Sequence, residues 1–190
     1  VFWPYWNVPE SIIRGEVLPA VDRDPAYLVR QQMEIVRGWG DDAPVVAPDA
    51  AALAGLAAGR LRLRQRPGPR NALGLVKFLF PNRESVYMHD TPAQLLFARE
   101  RRDFSHGCIR VADPSGLAEW VLAGVPGWTP EAIDAAIAGG TSRSVRVAAP
   151  IDVVLFYLTA AVSPDDGLLH FANDIYGHDA ALARALTRQR

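Results

Sequence analysis

Cysteine, lysine and methionine are nearly missing from this 190-residue chain: it holds 1 cysteine (Cys108), 2 methionines and, among its 20 basic residues, the single lysine Lys77. A lone thiol excludes an internal disulfide and leaves the compartment unreadable from cysteine usage. The formal charge of −1 shows no excess of either sign, so no nucleic-acid or anionic-membrane partner is indicated. Long apolar runs are also lacking. The longest, Val153 to Val162, contains Tyr157 and Thr159 and is too short to span a bilayer. No secretory leader is visible at Val1, and the opening Val1-Phe2-Trp3-Pro4, without methionine, reads as the start of a mature fragment. Arginine in place of lysine, together with abundant alanine, reads mainly as genome bias. The length suits one compact domain, with or without a large insertion.

What is present alternates between strand signals and capped helices. Asp24-Pro25 starts a helix over 26–32, which Gly38 and Gly40 then break. Residues 41–59 read as a loose helix or a covering loop. Leu61-Arg62-Leu63-Arg64 alternates as a strand does and stops at Pro67-Gly68-Pro69. Strands are predicted over 73–80 and 85–89, separated by Pro81-Asn82. Asp113-Pro114 and Thr129-Pro130 each place a cap residue before a proline at the first helical position, with ends near Gly124 and Gly139-Gly140. Further strands are expected over 145–147, 151–162 and 168–171, with Asp165-Asp166-Gly167 as a hairpin turn, and a terminal helix over 179–188. The pattern is that of a β-rich α+β domain, not a doubly wound parallel sheet.

The chemistry concentrates around the one thiol. Cys108 lies in Ser105-His106-Gly107-Cys108-Ile109-Arg110, and His89 precedes it in Tyr87-Met88-His89-Asp90-Thr91-Pro92. A free thiol with a pKa of about 8.5 is only a few per cent thiolate at neutral pH, so a nucleophilic cysteine needs a base beside it. A lone cysteine is commonly a small buried hydrophobe, but a polar, glycine-bearing segment followed by arginine is unlike a core strand. Gly107 lets a substrate carbonyl approach the backbone closely. His89, at the end of an apolar strand, is the preferred base over His106, which on an extended segment would share a face with the thiol. Arg110 can hold a carboxylate through its planar donor fork or serve as a surface cation. Zinc held by His89, His106 and Cys108 is the rival reading, but no paired-cysteine motif accompanies it. A papain-like site is disfavoured because it places cysteine before histidine. The residues read as a cysteine acyltransferase site.

These two segments resemble the catalytic signature of the YkuD-type L,D-transpeptidases, in particular their YcbB-like branch. Trp6-Asn7-Val8-Pro9, Asp24-Pro25-Ala26-Tyr27-Leu28, Pro67-Gly68-Pro69-Arg70-Asn71-Ala72-Leu73-Gly74 and Asp174-Ile175-Tyr176 extend the resemblance over nearly the whole chain. It implies a mixed β-sheet sandwich or barrel with a few helices, and a helical insertion over about 10–66 that caps the active site. It also implies a peptidoglycan cross-linking enzyme without cofactor or metal. Such an enzyme attacks the third residue of a stem tetrapeptide, releases D-alanine and passes the thioester-bound acyl group to another stem, giving a 3→3 cross-link. Carried over, Cys108 is the nucleophile, His89 the base and the Asp90 carbonyl its orienter. Tyr87 hydroxyl and the Cys108 amide form the oxyanion hole. Gly107 belongs to the catalytic segment, while Arg110, His106 and Ser105 contact substrate. Serine is frequent in relatives where His106 stands here.

Further expectations follow from the resemblance. Carbapenem-type β-lactams should be covalent inhibitors, and the setting should be the periplasm, with the full-length protein exported or membrane-anchored. In relatives, more strands precede the Trp-Asn-Val-Pro segment, so the catalytic sheet is expected to continue upstream of Val1. Two alternatives stay open: a hydrolase using the same Cys-His pair, and a wall-binding domain without catalysis. Trp3, Trp6, Tyr27 and Trp39 are expected to fold over the Cys108 cleft or to form the insertion's own small core.

Overall fold

The strongest alternation in the chain forms the centre of its first sheet. The computed structural model describes residues 1–187, so the Arg188 end of the expected terminal helix lies outside the described residues. Strand β1 (Trp6–Asn7) is followed by helix α1 (Glu10–Ile12), a π-helical turn (Ile13–Val17) and helix α2 (Leu18–Arg23). Helix α3 (Tyr27–Arg30) leads into β2 (Met33–Val36). Gly38 and Gly40 then turn the chain at φ +93° and +98° so that β3 (Val45–Val46) pairs back on β2. Helix α4 (Ala50–Ala57) is capped by Asp49, whose carboxylate accepts from the Ala52 amide at 2.7 Å. Strand β4 (Arg62–Gln65) completes an antiparallel sheet in the order β1-β4-β2-β3.

The stretch expected as a loose helix or loop therefore holds a short strand and a capped helix. Ile12, Ile13, Val17 and Val21 bury one side of the α1–α2 segment against Ile35, Leu56 and Leu63. Burying each such side chain contributes about 1.5–3 kcal/mol, so this region carries a core of its own.

A second core lies under a second sheet. Strands β5 (Lys77–Phe78), β6 (Met88–His89) and β7 (Ile109–Arg110) lie side by side, β5–β6 antiparallel and β6–β7 parallel. Helices α5 (Pro114–Leu122) and α6 (Pro130–Ala138) start where the cap-proline pairs placed them. Asp113 accepts from the Gly116 amide at 2.9 Å and Thr129 from the Ala132 amide at 3.3 Å. Ala118, Leu122 and Ile133 pack with Phe2 and Val76, and Phe2 stacks on Trp128 at 5.1 Å.

Fully buried Asn71 links the two regions. Its amide donates to the carbonyls of Pro4 (3.1 Å) and Arg66 (3.0 Å), and its oxygen accepts from the Leu73 amide (2.8 Å). Each buried carbonyl that loses such a donor costs about 1–3 kcal/mol.

The four aromatics do not form one group. Trp6 and Tyr27 pack on the first core, while Trp3 packs on the second and donates from its indole to the Ile137 carbonyl at 2.8 Å. Trp39 is 69% exposed, with the Arg62 guanidinium over its ring. The four therefore do not make up one small core.

Residues 151–187 make a separate unit. Strands β8 (Ala160–Val162) and β9 (Leu169–Phe171) form a hairpin whose turn ends at Gly167, φ +69°. Helix α7 (Asp179–Thr187) follows. Residues 145–147 and 151–158, expected as strands, lie in no ladder. β-Branched residues favour extended backbone, but a strand also needs a partner to take its amides. The whole is a mixed α/β fold with sheets of four, three and two strands and several helices, in keeping with the YkuD-type architecture expected.

Candidate active site

Parallel pairing of β6 with β7 sets His89 opposite Arg110 and Met88 opposite Ile109. The Ile109 amide donates to the Tyr87 carbonyl at 3.0 Å and the Val111 amide to the His89 carbonyl at 2.8 Å, carrying the ladder past both strand ends. Side chains two apart on a strand share a face, so Tyr87 and His89 stand together on one strand, and Cys108 and Arg110 on the next. Tyr87 is thereby level with Cys108. Antiparallel pairing adds Lys77 opposite His89 on the other side. Five chemically active side chains from three segments share one sheet face.

Asp90 anchors the end of β6 through both carboxylate oxygens. One accepts from the Leu75 amide at 2.8 Å, the other from the Thr91 amide at 2.6 Å and the Gln94 side chain at 3.1 Å. Its backbone carbonyl lies in hydrogen-bond contact with Nδ1 of His89. That contact leaves Nε2 as the imidazole nitrogen free to accept a proton. Gly74 makes room for this arrangement: at φ +62° its missing Cβ would collide with the Asp90 carboxylate. Gly107 has φ +124°, a conformation that turns the loop into Cys108.

Burial governs the titrations here. His89 is 5% exposed, and burial, with the nearby charges of Arg110 and Lys77, holds its pKa below the ordinary histidine value. The Asp90 carbonyl and carboxylate oppose that shift. The Tyr87 phenol is pushed up, first by burial and then by the Cys108 thiol that it faces, so it stays a hydrogen-bond donor. Cys108 itself is half-buried.

Cys108, Tyr87, His89, Asp90 and Arg110 are thus brought together. Arg110 donates to the Phe104 carbonyl at 3.3 Å, and its Nε is buried without a hydrogen-bond partner among the described residues. His106 pairs outside this group, and Ser105 braces the loop beside Cys108. The His106 Nε2 lies 3.0 Å from the Glu16 carboxylate on the π-helical turn, and the Ser105 hydroxyl accepts from the Gly107 amide at 3.3 Å. His106 therefore does not converge with His89 and Cys108 as a zinc set requires. Among the described residues no group of three or more His, Cys, Asp or Glu is arranged to hold a metal ion.

Lys77 is the site residue that sequence reasoning passed over. Its ammonium lies 4.1 Å from the Tyr87 ring centroid. The available signal was its uniqueness: one lysine kept where every other basic residue is arginine.

The profile of the YkuD family, described as the L,D-transpeptidase catalytic domain, matches residues 1–133. A "Putative L,D-transpeptidase" of Haemophilus influenzae is 32% identical over 176 residues, covering 93% of this chain and 35% of that protein. The chain spans about a third of the length of that curated relative. Among the described residues no helix is long and apolar enough to cross a membrane.

Proposed function

The chain belongs to the YkuD family of L,D-transpeptidase catalytic domains, and from that premise we propose that it forms 3→3 cross-links between peptidoglycan stem peptides through a Cys108 thioester. One observation carries the reading: Cys108 and Tyr87 stand level on paired strands, with buried His89 two residues along and held at Nδ1. In the proposed reaction His89 Nε2 takes the thiol proton as Sγ attacks the carbonyl of the stem's third residue. The Tyr87 hydroxyl and the Cys108 amide donate to the oxygen that becomes negative. His89 then returns the proton to the departing D-alanine amine. The side-chain amine of a second stem attacks the thioester, which aminolyses more readily than an oxygen ester, and Cys108 is regenerated. Splitting the exchange into two steps is the gain of covalent catalysis. Arg110 holds a substrate carboxylate, and Gly107 keeps the approach to the thiol open. The setting is the periplasmic face of a cell envelope, within the YcbB-like branch.

Mass analysis of products from purified disaccharide-tetrapeptide tests this reading. A dimer lighter by one D-alanine is expected. A tripeptide alone would mean hydrolysis, and unchanged substrate would mean a binding domain.

The pH dependence follows from His89. The base must be neutral, and its pKa lies below the ordinary value of about 6.5. Acylation by a small β-lactam is therefore expected to hold down to that pH and to fall only on further acidification. Stability shares the sign. Between the two pKa values the unfolded chain binds more protons, so the His89 contribution is whole above the unfolded pKa and is lost as pH falls toward the folded one. A pH–rate profile with an acid limb above 6.5 would contradict this assignment.

Residues 10–66 are proposed to cover the substrate cleft, keeping water from the thioester so that an amine competes. Two contacts support it: the Glu16 carboxylate 3.0 Å from His106 Nε2, and the Asp41 carboxylate accepting from Ser142 at 3.2 Å. The Val8 amide donates to Leu63 at 2.9 Å, so a short Gly-Ser linker can replace 10–61. That variant should still acylate with a small β-lactam but make fewer dimers per hydrolysed tripeptide. An unchanged ratio in a folded variant would end the cover role.

A further inference from the structure

We propose that Lys77 is a positioning residue of this site, its ammonium holding the Tyr87 ring so that the phenol hydroxyl faces Cys108 and supplying a fixed positive charge behind the sulfur. This rests on the Cys108–His89 reading above and extends it to a residue outside the two signature segments. Three observations converge on Lys77. Its Nζ sits 4.1 Å from the Tyr87 ring centroid, within the range of a cation–π contact. Its strand position is fixed opposite His89 by the β5–β6 register, and flanking Val76 is buried in the second core, so the stem is anchored. Its side chain is partly buried, which strengthens charge–quadrupole and charge–charge terms relative to water.

The titratable groups facing Lys77 include the Val1 amino group, which donates to the Lys77 carbonyl at 2.7 Å and whose pKa burial and the Lys77 charge lower. From β6 come Tyr87 and His89, from β7 and its approach Arg110 and Cys108, and from the loop after β2 comes Asp41, whose charge is felt at Lys77. Burial disfavours the ammonium, while Cys108 and Asp41 favour it. A cation kept in a partly dry site beside a second cation, Arg110, is costly unless it meets negative charge there. Asp41 supplies one such charge, and thiolate and the oxyanion of acyl transfer are the ones that arise during the reaction. Lysine rather than arginine fits the place, because a compact point charge stands on one ring face without the planar fork reaching for carboxylates.

Lys77→Met keeps the length of the stem and removes the charge. In the full chain it should slow carbapenem acylation by about 3- to 30-fold, the range that cation–π contacts span from exposed to desolvated sites. It should also move the pH dependence of iodoacetamide alkylation of Cys108 toward higher pH. Because part of the Lys77 effect runs through the Tyr87 hydroxyl and part through its charge near the sulfur, the same substitution in a Tyr87→Phe background should cost less in rate than in the wild-type chain. Lys77→Arg, which keeps the charge, should restore the alkylation profile. If the acylation loss is undiminished in Tyr87→Phe, or the alkylation profile does not move, Lys77 only packs the sheet and the proposal is overturned. Where Lys77→Met does not fold, Lys77→Gln, which also removes the charge, decides. A folded Lys77→Gln with the alkylation profile moved to higher pH supports the charge role, and one with a wild-type profile overturns it. Failure of the wild-type chain itself to acylate would instead sink the transpeptidase reading.

Discussion

Incubated with a carbapenem, the wild-type chain is expected to gain one covalent mass, and Cys108→Ala none. The strained lactam carbonyl is an acyl donor, and Sγ opens it as it would open a stem peptide. This is the largest effect foreseen, since without the nucleophile no acyl-enzyme can form. Intact-mass analysis followed by peptide mapping reads it directly, and the single cysteine removes any second thiol from consideration. An adduct surviving in Cys108→Ala would overturn the nucleophile. The site geometry gives the expectation its content. Cys108 is half-buried, level with Tyr87, and reached by a backbone turn that Gly107 makes at φ +124°.

His89→Ala comes next in size. Removing a general base should slow acylation by about 10²–10⁴-fold. His106→Ala should cost less, because the His106 ring pairs with Glu16 on the π-helical turn and not with the thiol. Stopped-flow acylation rates for both variants, with thermal denaturation to verify folding, separate the two histidines. A greater loss in His106→Ala than in His89→Ala would mean that the wrong imidazole has been assigned. Burial makes the His89 variant harder to read by structure alone. The 5% exposed ring leaves a cavity when removed, so part of its effect can appear in melting temperature. His89→Asn keeps a polar group near the Asp90 carbonyl and reports the loss of the base with less loss of packing.

Much of this site was legible because its signals are local. The thiol, its flanking glycine and the histidine segment lie in two short runs, and their resemblance to one family needs no three-dimensional information. Helices α5 and α6 were equally readable, since Asp113 and Thr129 cap amides only three residues away. Asp49 gives the same signal for α4, but the alanine-rich sequence after it carries little amphipathic pattern, so residues 41–59 read equally as a loose helix or a covering loop. The strands were harder. Runs over 73–80 and 85–89 were expected, yet regular pairing covers only β5 and β6, and 145–147 pairs with nothing. Extended preference belongs to a residue, whereas a ladder belongs to two segments.

Lys77, Tyr87, His89, Cys108 and Arg110 mark where the boundary falls. The sequence alone determined which groups could do chemistry, because reactivity begins with residue type: one thiol, an imidazole in an apolar segment, one phenol two residues before it. It also determined the caps, because those bonds close within a single turn. Only the tertiary structure decided which groups meet. The parallel register of β6 on β7 levels Tyr87 with Cys108, and a shift of one residue would have turned the thiol to the opposite face. The antiparallel register of β5 brought in Lys77, and the π-helical turn drew His106 away to Glu16. Register depends on hydrogen bonds and packing between segments far apart in the chain, and no run of neighbouring residues carries that information.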